Sequence, residues 1–437
     1  MRSHFIETLP YERDSATLLR RLSALEGLVF LDSGMGKDAN ARYDILSALP
    51  DAVLECAQDT VVLVTGSERT QVQGDYYRAL QSLLSEYRPA SPLPAALTAL
   101  PFVGGAIGYL AYDNTARIGI HTWAIVVDHH TQRTTLFALE NCSSSCLRRV
   151  QQCLSSTLPE QPLFALQQPF TSNFSQSEYQ QAFTRIQDYI HAGDCYQVNL
   201  AQRFQTEFSG NPLAAYLTLR QSIHCPFAGY IETPNGAVLS FSPERFLQVH
   251  EQRVLTQPIK GTRPRSDDPE QDRALAQALV DSPKDRAENL MIVDLLRNDL
   301  GTLCATGSVK VDKLFELHSF TNVHHLISSI SASLEAPHTA LDLLRNCFPG
   351  GSITGAPKKR AMEIIAELEP DSREVYCGSL FYAGFDGNVD SNIMIRTLHC
   401  VRNTISCWGG GGIVADSDCA QEYQECFDKI NNIIKRL

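Results

Sequence analysis

Apolar residues in this chain fall into short runs and helical stripes, and the two spacings alternate from end to end. Gly27-Leu28-Val29-Phe30-Leu31, Val61-Val62-Leu63-Val64 and Trp123-Ala124-Ile125-Val126-Val127 read as buried strands. The spacing turns helical around Asp75 to Tyr87, and Ser177 to His191 reads as an amphipathic helix. Strand-like runs follow at Ala237-Val238-Leu239 and Arg253-Val254-Leu255-Thr256. A helix opens at Ser282-Pro283, where Ser suits the cap and Pro the first helical position, and Gly301 closes it. Its apolar stripe is Ile292, Leu295, Leu296 and Leu300. After Ser417 a last helix places Tyr423, Phe427, Ile430 and Ile434 on its core face. Strand and helix signals mix without a βαβ rhythm or an internal repeat, so the expected class is α+β. A Ser, Pro and Gln-rich span from Ser155 to Ser177 marks the boundary between two regions, residues 1–165 and 170–437.

The charged residues that interrupt this pattern are the candidate chemistry. In Gln257-Pro258-Ile259-Lys260-Gly261-Thr262 a lone lysine stands between Pro and Gly just past a strand, so its ammonium is aimed. A lysine in a desolvated pocket gives up its proton readily and becomes a nucleophile. In Ser240-Phe241-Ser242-Pro243-Glu244-Arg245-Phe246 a carboxylate lies among apolar neighbours at the edge of a strand. Glu244 and Lys260, at the ends of adjacent strands, are placed to face one cavity as acid/base and nucleophile, unless Arg245 simply pairs with Glu244. Glu288 falls within the apolar stripe of its helix, with Asp299 further along. A carboxylate on a buried face must find a cation, either an arginine or a metal. Glu425 points away from the core stripe of the last helix, beside Gln421 and Asp428; Glu422 and Lys429 lie one turn to either side.

Five blocks carry a family resemblance over roughly Gln176 to Leu437: Gly193 to Asn199, Ser242-Pro243-Glu244-Arg245, Ala287 to Asp299, Phe348 to Lys358, and Gly410 to Ser417. In this order they resemble the chorismate-utilising enzymes. The resemblance implies two interleaved sheets of the anthranilate synthase type, with helices outside and the active site in the cleft. It also implies Mg²⁺ held by Glu288 and Glu425, with Glu422 a weaker ligand candidate. Arg396 is similar to the clamp on a substrate carboxylate, a role that a planar guanidinium suits. Tyr376 resembles the tyrosine at the enolpyruvyl carboxylate, and His325, in a doubled His, resembles the histidine facing the ring's C4 oxygen. Thr354 and Gly355 would border the ring, and Gly410, Gly411 and Gly412 would offer amides to a carboxylate.

A lysine within Pro-Ile-Lys-Gly-Thr resembles the branch of the family that aminates chorismate at C4. Lys260 would attack C2 as the C4 hydroxyl leaves with a proton from Glu244. Ammonia would then add at C4 to give 4-amino-4-deoxychorismate, a step toward 4-aminobenzoate and folate. Anthranilate synthases carry alanine at that place. Isochorismate and salicylate synthases use a lysine base where this chain has Gln197. A non-catalytic regulatory subunit would be expected to lack Lys260, Glu244 or a metal carboxylate. No Gly-x-Cys-x-Gly glutaminase segment occurs, so the ammonia is expected from a separate glutamine amidotransferase subunit, in a heterodimer.

Composition narrows the partners. The 437 residues are 43% hydrophobic and 20% charged, which is ordinary globular usage. A net charge of −12 argues against nucleic acid or an anionic membrane, and a dianionic substrate then needs a locally positive site. The 13 cysteines show no disulfide or metal spacing, which fits a cytoplasmic protein. Neither an export signal nor a spanning segment is expected. The glycine run after Cys407-Trp408 does not open a helix in a βαβ unit, so dinucleotide binding is not expected.

A second ligand site is expected near the N-terminus. Ser33, Asn40, Ala41, Arg42 and Tyr43, with Pro226, Phe227 and Ala228, resemble the segments that form a tryptophan pocket in the family. Ser33 would bond the amino acid's carboxylate or ammonium, and the Pro226-Phe227 wall would take the indole. The ordinary account is a strand and turn in which Arg42 and Asp44 pair at the surface.

Overall fold

A computed structural model describes residues 3–34, 41–57, 60–160, 162–320 and 323–437. Its strands form two large sheets, of 13 and 12 strands among the described residues, and paired strands run antiparallel throughout. The expected strands appear as Val29–Asp32, Thr60–Thr65, Trp123–Asp128, Gly236–Ser242 and Arg253–Gln257. The expected helices appear as Tyr76–Glu86, Gln176–Ala192, Pro283–Gly301 and Cys419–Ile434. Among the described residues no helix is long and apolar enough to cross a membrane.

Both sheets draw on both ends of the chain. In the first, Val29–Asp32 pairs with Phe227–Thr233, which pairs in turn with Gly236–Ser242. In the second, Gly105–Leu110 pairs with Ser379–Gly384. The α+β class with two interleaved sheets is therefore the architecture observed. The sheets bury large apolar faces against each other; Phe381, Leu380, Ile107 and Ile231 belong to one continuous core.

Helix Pro283–Gly301 is capped by the Ser282 side chain on the Asp285 amide, and Pro283 opens it. It buries Ile292, Val293, Leu296 and Leu300, while Leu295 is only half-buried. Asp299, the second carboxylate of the stripe, meets Lys358 Nζ at 2.7 Å. In Cys419–Ile434 the buried face is Glu422, Cys426, Ile430 and Ile433 rather than Tyr423, Phe427, Ile430 and Ile434. Sequence periodicity follows apolar residues and so misplaced the inward face by about one residue, because a carboxylate belongs to it.

Candidate active site

The chain changes sheets at Ser242-Pro243-Glu244. Strand Gly236–Ser242 lies in the first sheet and Arg245–His250 in the second, so Glu244 sits in the seam. Ser242 Oγ donates to the Ile393 carbonyl at 2.6 Å and accepts from the Glu244 amide at 3.2 Å, pinning the crossover. Arg245 pairs with Asp390 at 3.1 Å, so the arginine is not Glu244's partner. Arg245 stands opposite Gln257 in the hairpin, which brings Glu244 level with the segment leading to Lys260.

Lys260 does not end a strand in a turn, as Pro and Gly suggested; it lies within a further strand, Ile259–Pro264. That strand pairs with Val323–Ser333 and bulges between Lys260 and Thr262. Gly261 supplies the bulge with φ +80°, and a Cβ there would lie 2.8 Å from the Leu279 side chain. Lys260 Nζ donates to the Ser352 carbonyl at 3.0 Å. Burial pulls the lysine pKa below its ordinary value, against the upward pull of Glu288 and Glu244. Burial pushes the Glu244 carboxyl above the usual range, moderated by Ser352 and by Lys260 itself. The two groups face one cleft.

His325 is buried on Val323–Ser333, directly across from Thr262. Burial and the nearby Arg396 guanidinium lower its pKa to about 3, so it is neutral. Arg396 has no carboxylate partner among the described residues, which leaves a cation in an acidic protein available to an anionic ligand. Tyr376 is buried and stacks on Trp408, with ring centres 6.1 Å apart and planes 5° from parallel. Burial raises its pKa well above the ordinary value, so it keeps its proton for donation. Thr354 is fully buried and donates to the Gly350 carbonyl at 3.0 Å, while Gly355 pairs with Val198.

Gly410, Gly411 and Gly412 pair with Ala201, Leu200 and Asn199. Their second purpose is close approach: a Cβ on Gly411 would lie 2.8 Å from Glu422 Oε2. The last helix therefore rests directly on this strand. The Gly410 carbonyl accepts from Lys429 Nζ at 2.7 Å.

The carboxylates expected to hold a metal share this cleft, with lysines between them. Lys284 Nζ lies 4.0 Å from Glu288 and 3.5 Å from Glu422. Lys429 pairs with Glu425 at 2.7 Å. Burial raises the carboxyl pKa of Glu288 and of Glu422, whereas for Glu425 the pull of Lys429 outweighs burial and lowers it. Among the described residues no three His, Cys, Asp or Glu side chains are drawn together as a ready metal site. Glu422, rated below Glu425 from sequence, is the more deeply buried of the two, with 4% of its side chain exposed against 48%.

Sequence reasoning missed Ser352, whose carbonyl meets Lys260 and whose side chain bonds Glu244, and Lys284, which reads as a solvated helix residue. From sequence alone Gln197 is only a residue that cannot act as a base. Gln197 is fully buried with both side-chain polar atoms unpartnered, and Asn199 Oδ1 is also without a partner. Such buried polar atoms call for a water or a ligand as partner.

A cavity of about 620 Å³ lies apart from these groups, between the sheets. Ser33, Arg42, Tyr43, Pro226, Phe227 and Ala228 are among the residues lining it. Ala41 is fully buried and does not line it, and Asn40 lies outside the described residues. The Ser33 hydroxyl donates to Asp44 at 2.7 Å, so it is left to accept from an ammonium rather than donate to a carboxylate. Arg42 pairs with Asp128 at 2.8 Å, and Asp44 is fully buried against His129, so the expected surface pair does not form.

A family profile for chorismate binding enzymes matches residues 47–435. The chain is 43% identical to aminodeoxychorismate synthase component 1 from Klebsiella aerogenes, over 98% of each chain. It is equally 43% identical to aminodeoxychorismate synthase component 1 from Escherichia coli strain K12, again over 98% of each. Among solved structures, anthranilate synthase component I from Streptococcus pneumoniae TIGR4 superposes with a TM-score of 0.79 at 28% identity, covering 91% of this chain and 93% of that one.

Proposed function

This chain belongs to the chorismate binding enzyme family, and from that premise we propose that it acts as component 1 of an aminodeoxychorismate synthase, converting chorismate and ammonia to 4-amino-4-deoxychorismate. One observation carries the choice within the family: a partly buried lysine with a lowered pKa at position 260, beside a buried glutamate with a raised one. Anthranilate synthases resemble this chain elsewhere but carry alanine there.

Lys260, as the free amine, forms a bond from Nζ to C2 of the ring. The ring double bond shifts and the C4–O bond breaks, and Glu244 gives its proton so that water leaves. Ammonia then bonds to C4, the double bond returns, and the C2–N bond breaks to release Lys260; Glu244 recovers a proton from the incoming nitrogen. The enolpyruvyl group stays on the ring throughout. Arg396 and the protonated Tyr376 hold carboxylates, and buried Gln197 offers an amide to the ring face, where a lysine would have activated water instead.

Glu288 and Glu425, with Glu422 beside them, would hold Mg²⁺. Their oxygen-only donor set suits a hard divalent ion, and burial, which raises the carboxyl pKa of Glu288 and Glu422, makes a further cation beside them favourable. When bound, the ion supplies charge that holds a substrate carboxylate and draws electron density from the diene. The ammonia comes from glutamine through a separate amidotransferase subunit, or directly from solution at higher concentration. The inter-sheet cavity is a second site, for L-tryptophan: Phe227 and Pro226 form an apolar wall, and Ser33 is placed to accept from an ammonium.

A one-pot reaction of the purified chain with chorismate, MgCl₂ and ammonium chloride, read by product mass, tests the function. The expected product is aminodeoxychorismate with its pyruvyl carbons retained. Anthranilate with free pyruvate, or isochorismate, would overturn it.

A further inference from the structure

We infer that Thr262 is a positioning residue that fixes the tautomer of His325, holding the hydrogen on Nδ1 so that Nε2 meets the substrate as an acceptor. Two oxygens converge on Nδ1. Thr262 Oγ1 lies at 2.9 Å and the Gly261 carbonyl at 3.4 Å. A carbonyl oxygen can only accept, so the arrangement that satisfies both contacts is Nδ1–H shared between them. Thr262 then accepts, and its own hydroxyl hydrogen is left for another acceptor.

The far side of the ring fits this assignment. His325 Nε2 is buried and has no partner. In a neutral imidazole with Nδ1 protonated, that nitrogen carries a lone pair. It is the acceptor waiting in a cleft where the neighbouring charged group, Arg396, offers only donors. The bulge explains how the contact arises. Gly261, at φ +80°, is the extra residue that brings Thr262 level with His325 while Lys260 stays opposite Leu326. Nucleophile and tautomer lock are therefore set two residues apart by one backbone irregularity.

Within the function proposed above, on which this rests, the consequence concerns direction of proton flow. His325 Nε2 takes a hydrogen bond from the C4 hydroxyl in the ground state and then from the nitrogen that adds at C4, while the proton itself returns to Glu244. His325 cannot be the acid that protonates the departing oxygen, which leaves that task to Glu244. Loss of the Thr262 hydroxyl leaves only the longer Gly261 contact on Nδ1 and admits the Nε2–H form, which presents a donor where an acceptor is needed.

The test uses the full chain labelled with nitrogen-15 histidine. The resonances of His325, among 12 histidines, are identified by their loss in His325→Gln. The unmodified chain and Thr262→Ser are expected to show a protonated Nδ1 and a bare Nε2. Thr262→Val is expected to show mixed tautomers, with kcat lowered by about ten- to a hundredfold and KM little changed. A protonated Nε2 in the unmodified chain overturns the assignment. So does a Thr262→Val spectrum and kcat like those of the unmodified chain. The spectrum needs no turnover: the expected tautomer in a chain that fails to aminate chorismate would support the Thr262 role and count against the function alone.

Discussion

At the scale of single residues, burial acts on Lys260 and Glu244 in opposite directions, lowering one pKa and raising the other. The active form has the proton on Glu244 and none on Lys260, and this state carries one proton in total, as does the ion pair. The rate should therefore rise with pH through the lower pKa of the pair and fall through the higher. Both limbs should lie inside the ordinary carboxylate and lysine values of 4.5 and 10.5. Glu244→Gln leaves only the requirement for a neutral lysine, so its rate should climb with pH where the unmodified enzyme declines, at about 10²- to 10⁴-fold lower activity. A pH profile of kcat/KM for both proteins checks this, and two descending alkaline limbs would count against Glu244 as the acid. Lys260→Ala should abolish the amination, and trapped enzyme should carry its mass adduct on Lys260. Glu288→Gln and Glu425→Gln should each remove the dependence of the rate on MgCl₂, measured by titration; unchanged dependence in both would remove them as ligands. Lys260, Glu244 and Glu288 were legible in the sequence because each breaks a local pattern: a charge between Pro and Gly, or a carboxylate among apolar neighbours. Ser352 was not, since its contact with Lys260 is made by a backbone carbonyl, and any residue type has one.

At the scale of elements, hydrophobic spacing located the helices and strands that carry the site but not how closely they pack. The strand Ile259–Pro264 was hidden because Pro258 and Gly261 are usually turn residues, whereas here Gly261 serves a bulge. The inward face of Cys419–Ile434 was misplaced because Glu422, a polar residue, belongs to it. The glycines of Thr404–Ile413 resolve that packing: a Cβ on Gly409 would sit 2.2 Å from the Cys426 carbonyl, and one on Gly411 would sit 2.8 Å from the Glu422 carboxylate. The first clash is with helix backbone, the second with the end of a side chain. Gly409→Ala should therefore push the helix from the strand and cost roughly 1–3 kcal/mol in a denaturant titration, with loss of activity. Gly411→Ala should leave stability nearly intact and act on turnover alone, by displacing Glu422. Equal destabilisation by the two variants would mean that the helix does not rest on this strand as described.

At the scale of the whole molecule, interleaving places a cleft and a separate cavity on opposite sides of one crossover. Glu244 faces the catalytic cleft, while its neighbour Arg245 lines the inter-sheet cavity and lies over Phe227, 4.7 Å from the ring centre. No composition shift along the chain could reveal this cavity, because its walls come from residues near 30, 100, 227, 245 and 390, which only the sheet order brings together. The family resemblance groups Ser33, Arg42 and Phe227, and all three line this cavity, but it gives no sign that Asp44 already takes the Ser33 hydroxyl hydrogen. The tryptophan proposed for this cavity would bring its ammonium as a donor to Ser33 and its indole to Phe227. Because it would bind the folded chain and not the unfolded one, tryptophan at about 100 times its Kd should stabilise the protein by about 2.7 kcal/mol. Phe227→Ala should remove that gain, since the indole loses its wall, while leaving the Lys260 chemistry in place. Denaturant midpoints of both proteins with and without tryptophan, and mass analysis of small molecules released on denaturation, measure the effect. If no tryptophan is released and added tryptophan moves neither the midpoint nor the rate, the cavity is not a tryptophan site, and Arg245 is held against Phe227 for the sake of the crossover alone.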